Sequence, residues 1–206
     1  MKMSKPLITK HFVNTAETAR ALQFASGRGK VVLRKAQGFA LIDMIFVTGV
    51  IGLLMSIAMP RLIMAKQSAG AASAIGSMRA ISSAELTFAL TCGGGFYSPN
   101  LSTLGTPPPA SHEPFISANL GAADTVVKAG YTIQLTATPY PAAPASCNGL
   151  AAGSAGQAFV AGADPTDASN VRFFATNANN VIYEHNATLY PTMPEVGQPL
   201  IGHILR

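Results

Sequence analysis

From Phe39 to Pro60 the chain reads FALIDMIFVTGVIGLLMSIAMP, with Asp43 its one charged residue; the next charge is Arg61. As a helix, these 22 residues extend roughly 33 Å at ~1.5 Å per residue, against ~30 Å for the hydrocarbon of a bilayer. The apolar character runs all round such a helix rather than along one stripe, which argues against the core helix of a soluble domain. A secretory signal would hold only ~7–15 apolar residues before a small-residue cleavage site, and Ser56-Ile57-Ala58 imitates that site only weakly. The pattern predicts a membrane-spanning helix over 39–60.

The pattern changes after Pro60. Ile75, Met78, Ile81, Ala84 and Phe88 recur at helical spacing with Arg79 and Glu85 interposed, which predicts an amphipathic continuation over 61–91. Pro60 should kink or locally melt the long helix, because it removes an internal hydrogen bond. Cys92-Gly93-Gly94-Gly95 then supplies the stop, since glycine takes the left-handed conformation a helix end favours. Residues 96–115, with Pro107-Pro108-Pro109, read as a loop with little regular structure.

Tyr131 to Thr138 alternates strictly, with Tyr131, Ile133, Leu135 and Ala137 on one side, the mark of a half-exposed antiparallel strand. Val171 to Ala175 and Asn180 to Glu184, joined through Asn177-Ala178-Asn179, predict a hairpin. Residues 157–161 add a short strand. The expected fold class is α+β: a long N-terminal helix, transmembrane in its first half, packed against a small antiparallel sheet in a head over 92–206.

Charge sharpens the membrane reading. Residues 1–38 hold eight Lys or Arg against one acid, a net of +7, while the rest holds six against eight, a net of −2. A basic chain raises the possibility of nucleic acid, but here the basicity is confined to the amino end. A positive flank before an apolar run is the side that stays cytoplasmic. Membrane association therefore outweighs nucleic-acid binding, and the head is expected to be periplasmic.

An acid inside the apolar run requires a physical reason. A carboxylate at mid-bilayer costs ~2.5–3.5 kcal/mol on insertion scales, and such acids usually have partners. No Lys or Arg lies one or two turns downstream of Asp43. A shallow position near the headgroups would reduce the cost but leave the acid without a purpose. The residues before it offer another answer, because Arg34-Lys35-Ala36-Gln37-Gly38-Phe39 has the look of a peptidase site. A cut after Gly38 would place a new α-amine four residues ahead of Asp43. The helix dipole would favour the anion by ~0.3–1 kcal/mol. An amine ~4 Å away, its own or a neighbour's, would add up to ~4 kcal/mol at an effective dielectric of ~20, less desolvation.

Lys35-Ala36-Gln37-Gly38-Phe39, then Leu41-Ile42, Asp43, Gly52 and Pro60 resemble the amino-terminal segment of type IV pilins and type II secretion pseudopilins. The resemblance covers about 35–65. It implies that an inner-membrane prepilin peptidase cuts between Gly38 and Phe39, with Lys35 in its recognition site, and that the new amine of Phe39 is methylated. It further implies that Asp43 guides docking to other pilin or pseudopilin subunits, with Gly52 and Pro60 as assembly positions. An inner-membrane assembly platform then draws subunits into an extracellular or periplasmic filament. The family's acid is usually Glu, one methylene longer than Asp43, and the leader of 38 residues is long, with Met3 as a second possible start.

The remaining chemical signals are sparse. Cys92 and Cys147 both fall outside the membrane on this topology, and an oxidising compartment favours a disulfide between them. His11, His112, His185 and His203 are scattered without ligand spacing. Asp164 and Asp167 lie in a Gly-Pro-rich stretch where some pseudopilins bind calcium, yet two acids fall short of a ligand set and an exposed turn is the stronger reading. Asn100-Leu101-Ser102 and Asn186-Ala187-Thr188 fit a glycosylation sequon short enough to arise by chance. No phosphate loop, nucleophile elbow or zincin motif appears. The expectation is a structural subunit with no catalytic residues, metal or cofactor. The competing reading is a singly anchored periplasmic binding or enzymatic domain with an uncleaved anchor. A DNA-uptake pilin would need a basic patch on the head, which the net charge does not encourage.

Overall fold

The computed structural model describes residues 37–205, with side chains from Leu41 onward. Helix α1 (Gln37–Thr91) is 55 residues long. The chain forms one unit up to Val50 and a second from Ile51. The helix continues through Pro60, so the expected local melting does not occur. The proline withdraws only the N–H that would reach the Ser56 carbonyl, and the turns on either side keep theirs.

The second unit is α+β. After α1 come α2 (Leu101–Gly105), α3 (Ala118–Gly121), β1 (Thr125–Lys128), β2 (Tyr131–Thr136), β3 (Val160–Pro165), β4 (Phe173–Asn177), β5 (Ile182–His185) and β6 (His203–Ile204), with a 3-10 turn at Tyr190–Thr192 before the last strand. The six strands form one antiparallel meander in sequence order. In β2, Tyr131, Ile133 and Leu135 are buried and their neighbours are partly or fully open, as strict alternation requires.

The helix and sheet share one core. Ala71, Ala74, Met78, Ile81, Ala84 and Phe88 pack with Tyr131, Ile133, Leu135, Phe159, Ala161 and Phe174. Each large apolar side chain fully withdrawn from water contributes about 1.5–3 kcal/mol, so this seam is the main source of the head's stability. The far face of the sheet carries a smaller cluster of Val160, Ala175, Tyr183, Leu189 and Met193. There the Tyr190 side chain lies against Gly162 so closely that an added Cβ would stand 2.7 Å from the tyrosine Cβ. Strand β3 is therefore covered on both faces, which removes the alternation a sequence pattern would reveal. It lies at Val160–Pro165 rather than at 157–161. The expected hairpin is β4–β5, displaced by about two residues.

Residues 96–115 are not the plain loop that three prolines suggest. Asn100 caps α2, its Oδ1 accepting from the Thr103 N–H at 3.0 Å and the Thr103 hydroxyl at 2.7 Å; Leu101 and Leu104 are fully buried. Helix α3 and edge strand β1 were also not legible in the pattern. Both are only four residues long, too short to display a period.

At the end of α1, Gly94 is left-handed with φ of 61°, the conformation a terminal glycine supplies without strain. Beside it, Cys92 and Cys147 are disulfide-bonded with Cα atoms 4.9 Å apart, and the Cys147 N–H donates to the Cys92 carbonyl at 3.2 Å. The bridge fastens the 140–156 loop to the helix end. It spans a sequence separation of 55, for which loop-closure entropy gives about 4 kcal/mol. Cys92→Ser with Cys147→Ser is expected to lower head stability by about 2–4 kcal/mol, read from urea denaturation of the detergent-solubilised protein. An unchanged midpoint would contradict this.

Candidate assembly site

Of the processing residues, Lys35 lies outside the described residues. Gly38 and Phe39 fall in the first turn of α1. Phe39 and Asp43 are four apart, about 6 Å along the axis and on one face of the helix. Asp43 is exposed, and among the described residues no cation lies within ion-pair distance of it.

The apolar side chains around and beyond Asp43 point outward in every direction. Ile42, Phe46, Leu53 and Leu62 are all about two-thirds exposed or more, at 71%, 69%, 67% and 70%. The most apolar window of the helix has a mean hydropathy of 2.2 with none of it buried, so α1 is long and apolar enough to cross a membrane. Its hydroxyls are suited to that setting. Thr48 donates to the Met44 and Ile45 carbonyls at 2.9 and 3.0 Å, and Ser56 to the Leu53 carbonyl at 2.8 Å, so neither presents an unsatisfied donor to lipid. Gly52, like Gly49, has open space around it, with no atom within 4 Å of an added Cβ. A neighbouring helix could therefore approach its backbone closely. No protein-family model, curated protein or solved structure matches this chain.

The head holds one functional-looking group that the sequence pattern misassigned. Glu85, expected on the polar face, is completely buried. Its position explains why: counted from Ile81 and Phe88 it sits at i+4 and i−3, on the apolar stripe itself. That spacing was the available signal, and residue type obscured it. Glu85 Oε2 accepts the Ser98 N–H at 2.8 Å, while Oε1 has no hydrogen-bond partner. Burial holds its pKa well above the ordinary carboxylate range, against the lowering effect of the Ser98 bond.

The folded chain keeps the Glu85 proton over a range in which the unfolded chain has lost it, so this group's stabilisation is complete in acid and declines as pH rises from the ordinary value through the raised one. Glu85→Gln retains an acceptor for Ser98 and cannot ionise. It is expected to flatten that decline and to stabilise the head near neutral pH by on the order of 1 kcal/mol. Urea midpoints of the two proteins compared across pH decide this; parallel curves would contradict it. Asp164, also raised by burial, contributes a slope of the same sign to both proteins and cancels in the difference.

Asp164 and Asp167 do not converge. Asp164 belongs to β3 rather than to a loop, and its Oδ2 accepts from the Thr188 hydroxyl at 2.6 Å. Asp167 instead accepts the Ser169 N–H at 2.9 Å. Among the described residues, no three of His, Cys, Asp and Glu gather as metal ligands would. His185 and His203 lie on β5 and β6, where Glu184, ion-paired to Arg172 at 2.6 Å, faces His203 across the ladder.

Proposed function

We propose that this chain is a prepilin-like precursor, a structural subunit of a type IV pilus or a type II secretion pseudopilus. The fold is then pilin-like. The leader through Gly38 stays cytoplasmic, the apolar helix spans the inner membrane, and the head lies in the periplasm. Prepilin peptidase removes the leader, Phe39 becomes the methylated first residue, and subunits polymerise through the helix. The observation that carries this reading is a helix exposed and apolar on all sides, with a single acid one turn beyond a Gly-Phe pair. A lone spanning anchor has no use for that acid, whereas a helix that leaves lipid for a bundle of its own kind does.

Two further features agree with it. The same α1 supplies the stripe on which the head's sheet is built, so anchor and head are joined without a linker. The Cys92–Cys147 bridge suits an oxidising compartment. The test is immunogold electron microscopy and shearing of cells that carry the natural gene. The chain should appear in surface filaments or, under overexpression, in an elongated pseudopilus. A chain found only as a dispersed membrane monomer would favour the anchored periplasmic domain.

A further inference from the structure

Just beyond the apolar run of α1, a pocket of about 120 Å³ opens between the helix and two turns of the head. Lys66, Gln67 and Gly70 form the helix wall; Gly130, Thr166 and Asp167 face them. The walls are fixed. Gly70 lets the helix approach so closely that an added Cβ would lie 2.7 Å from the Ala129 carbonyl. Thr166 donates both its N–H, at 2.9 Å, and its hydroxyl, at 3.1 Å, to the Gly130 carbonyl. Gln67 Nε2 donates to Ser169 Oγ at 3.1 Å, and beneath them the Asn170 amide donates to the buried Tyr131 hydroxyl at 3.0 Å.

Two opposite charges enter this pocket without closing on each other. Lys66 and Asp167 are both exposed, and the one ion pair within 4.0 Å among the described residues is Arg172–Glu184. The Asp167 carboxylate is held below its ordinary range, first by the N–H and hydroxyl of Ser169 and then by the Lys66 charge.

The pocket's height along the helix identifies an occupant. Lys66 stands six residues after Pro60, about 9 Å further along the axis, while the headgroup layer adds roughly 5–8 Å to each side of the hydrocarbon. A lysine stem covers the remaining distance. We propose that the pocket binds the headgroup of a zwitterionic phospholipid with a primary ammonium, that is, a phosphatidylethanolamine. Its phosphodiester meets Lys66, and its ammonium donates to the Asp167 carboxylate. A phosphatidylglycerol headgroup brings no cation for Asp167, and a choline group has no N–H to donate. The volume suits a headgroup and not a whole lipid. This inference rests on the membrane-spanning reading of α1.

The full chain, reconstituted in nanodiscs holding equal amounts of phosphatidylethanolamine, phosphatidylglycerol and phosphatidylcholine, should retain the first roughly fivefold over either of the others in native mass spectrometry. Lys66→Gln and Asp167→Asn, both at exposed positions, should each abolish the preference, and Asp167→Asn should shift retention toward phosphatidylglycerol. Equal or greater retention of phosphatidylglycerol by the unaltered chain would overturn the proposal, as would a preference unaffected by either substitution. Resistance to alkaline carbonate extraction separates the two readings. A chain that inserts without preference sinks only the lipid site, whereas one that fails to insert sinks both.

Discussion

Asp43→Ala is expected to leave the chain inserted in the membrane and to remove it from filaments. Removing a carboxylate from an apolar helix makes insertion easier, by at most ~2.5–3.5 kcal/mol, the value at mid-bilayer, so the membrane fraction should not fall. Docking is another matter. A pair formed with a neighbour's amine gains up to ~4 kcal/mol at ~4 Å and an effective dielectric of ~20, and desolvation returns part of that. A net loss of even ~1.4–2.8 kcal/mol weakens each addition roughly ten- to a hundredfold, and a filament requires many successive additions. Sheared filaments from the variant should therefore contain almost none of the chain. Asp43→Glu restores the charge with one more methylene and should restore incorporation; Asp43→Asn, which retains the shape alone, should not. Filament levels unchanged in Asp43→Ala would refute the docking role.

Gly38→Leu should block processing. Gly38 falls in the first turn of α1, and a glycine there weakens the helix by about 1 kcal/mol relative to alanine. The peptide to be cut can then unwind into a protease at small cost. Leucine strengthens that turn and adds a branched side chain beside the scissile bond. A combined deficit of about 2–3 kcal/mol slows cleavage roughly 30- to 160-fold. On a gel of pulse-labelled cells the precursor band should persist while the wild-type chain shifts to the shorter form. An identical shift in both would place the cut elsewhere or nowhere.

How much of this was legible in the sequence depended on whether a residue's surroundings repeat. The apolar run, the helix over 61–91 and the face of β2 each extend for enough residues to display a period, and the structure has them where the pattern put them. Helix α2 was hidden because its evidence is one capping side chain, Asn100, ahead of three prolines that dominate the segment. Strand β3 has no alternation to read, since α1 covers one face and the Leu189–Met193 segment the other. Glu85 shows the opposite failure. Its spacing from Ile81 and Phe88 puts it on the apolar stripe, and its charge led to its being read as interposed between core positions. Lys66 and Asp167 are separated by a hundred positions in the chain, and only the packing of the β1–β2 turn against Gly70 brings them to one pocket. The positions proposed for processing, Gly38 and Phe39, and for assembly, Asp43, Gly52 and Pro60, could be read together because they lie within one short continuous stretch.

The most direct measurement is the first residue of the natural protein, obtained by amino-terminal sequencing and intact mass of material extracted from its own host. A prepilin-like subunit begins at Phe39 with a methylated amine and lacks the 38-residue leader. A chain that still carries Lys35 and the basic residues before it offers no free terminus for Asp43 to meet, and contradicts the polymer reading.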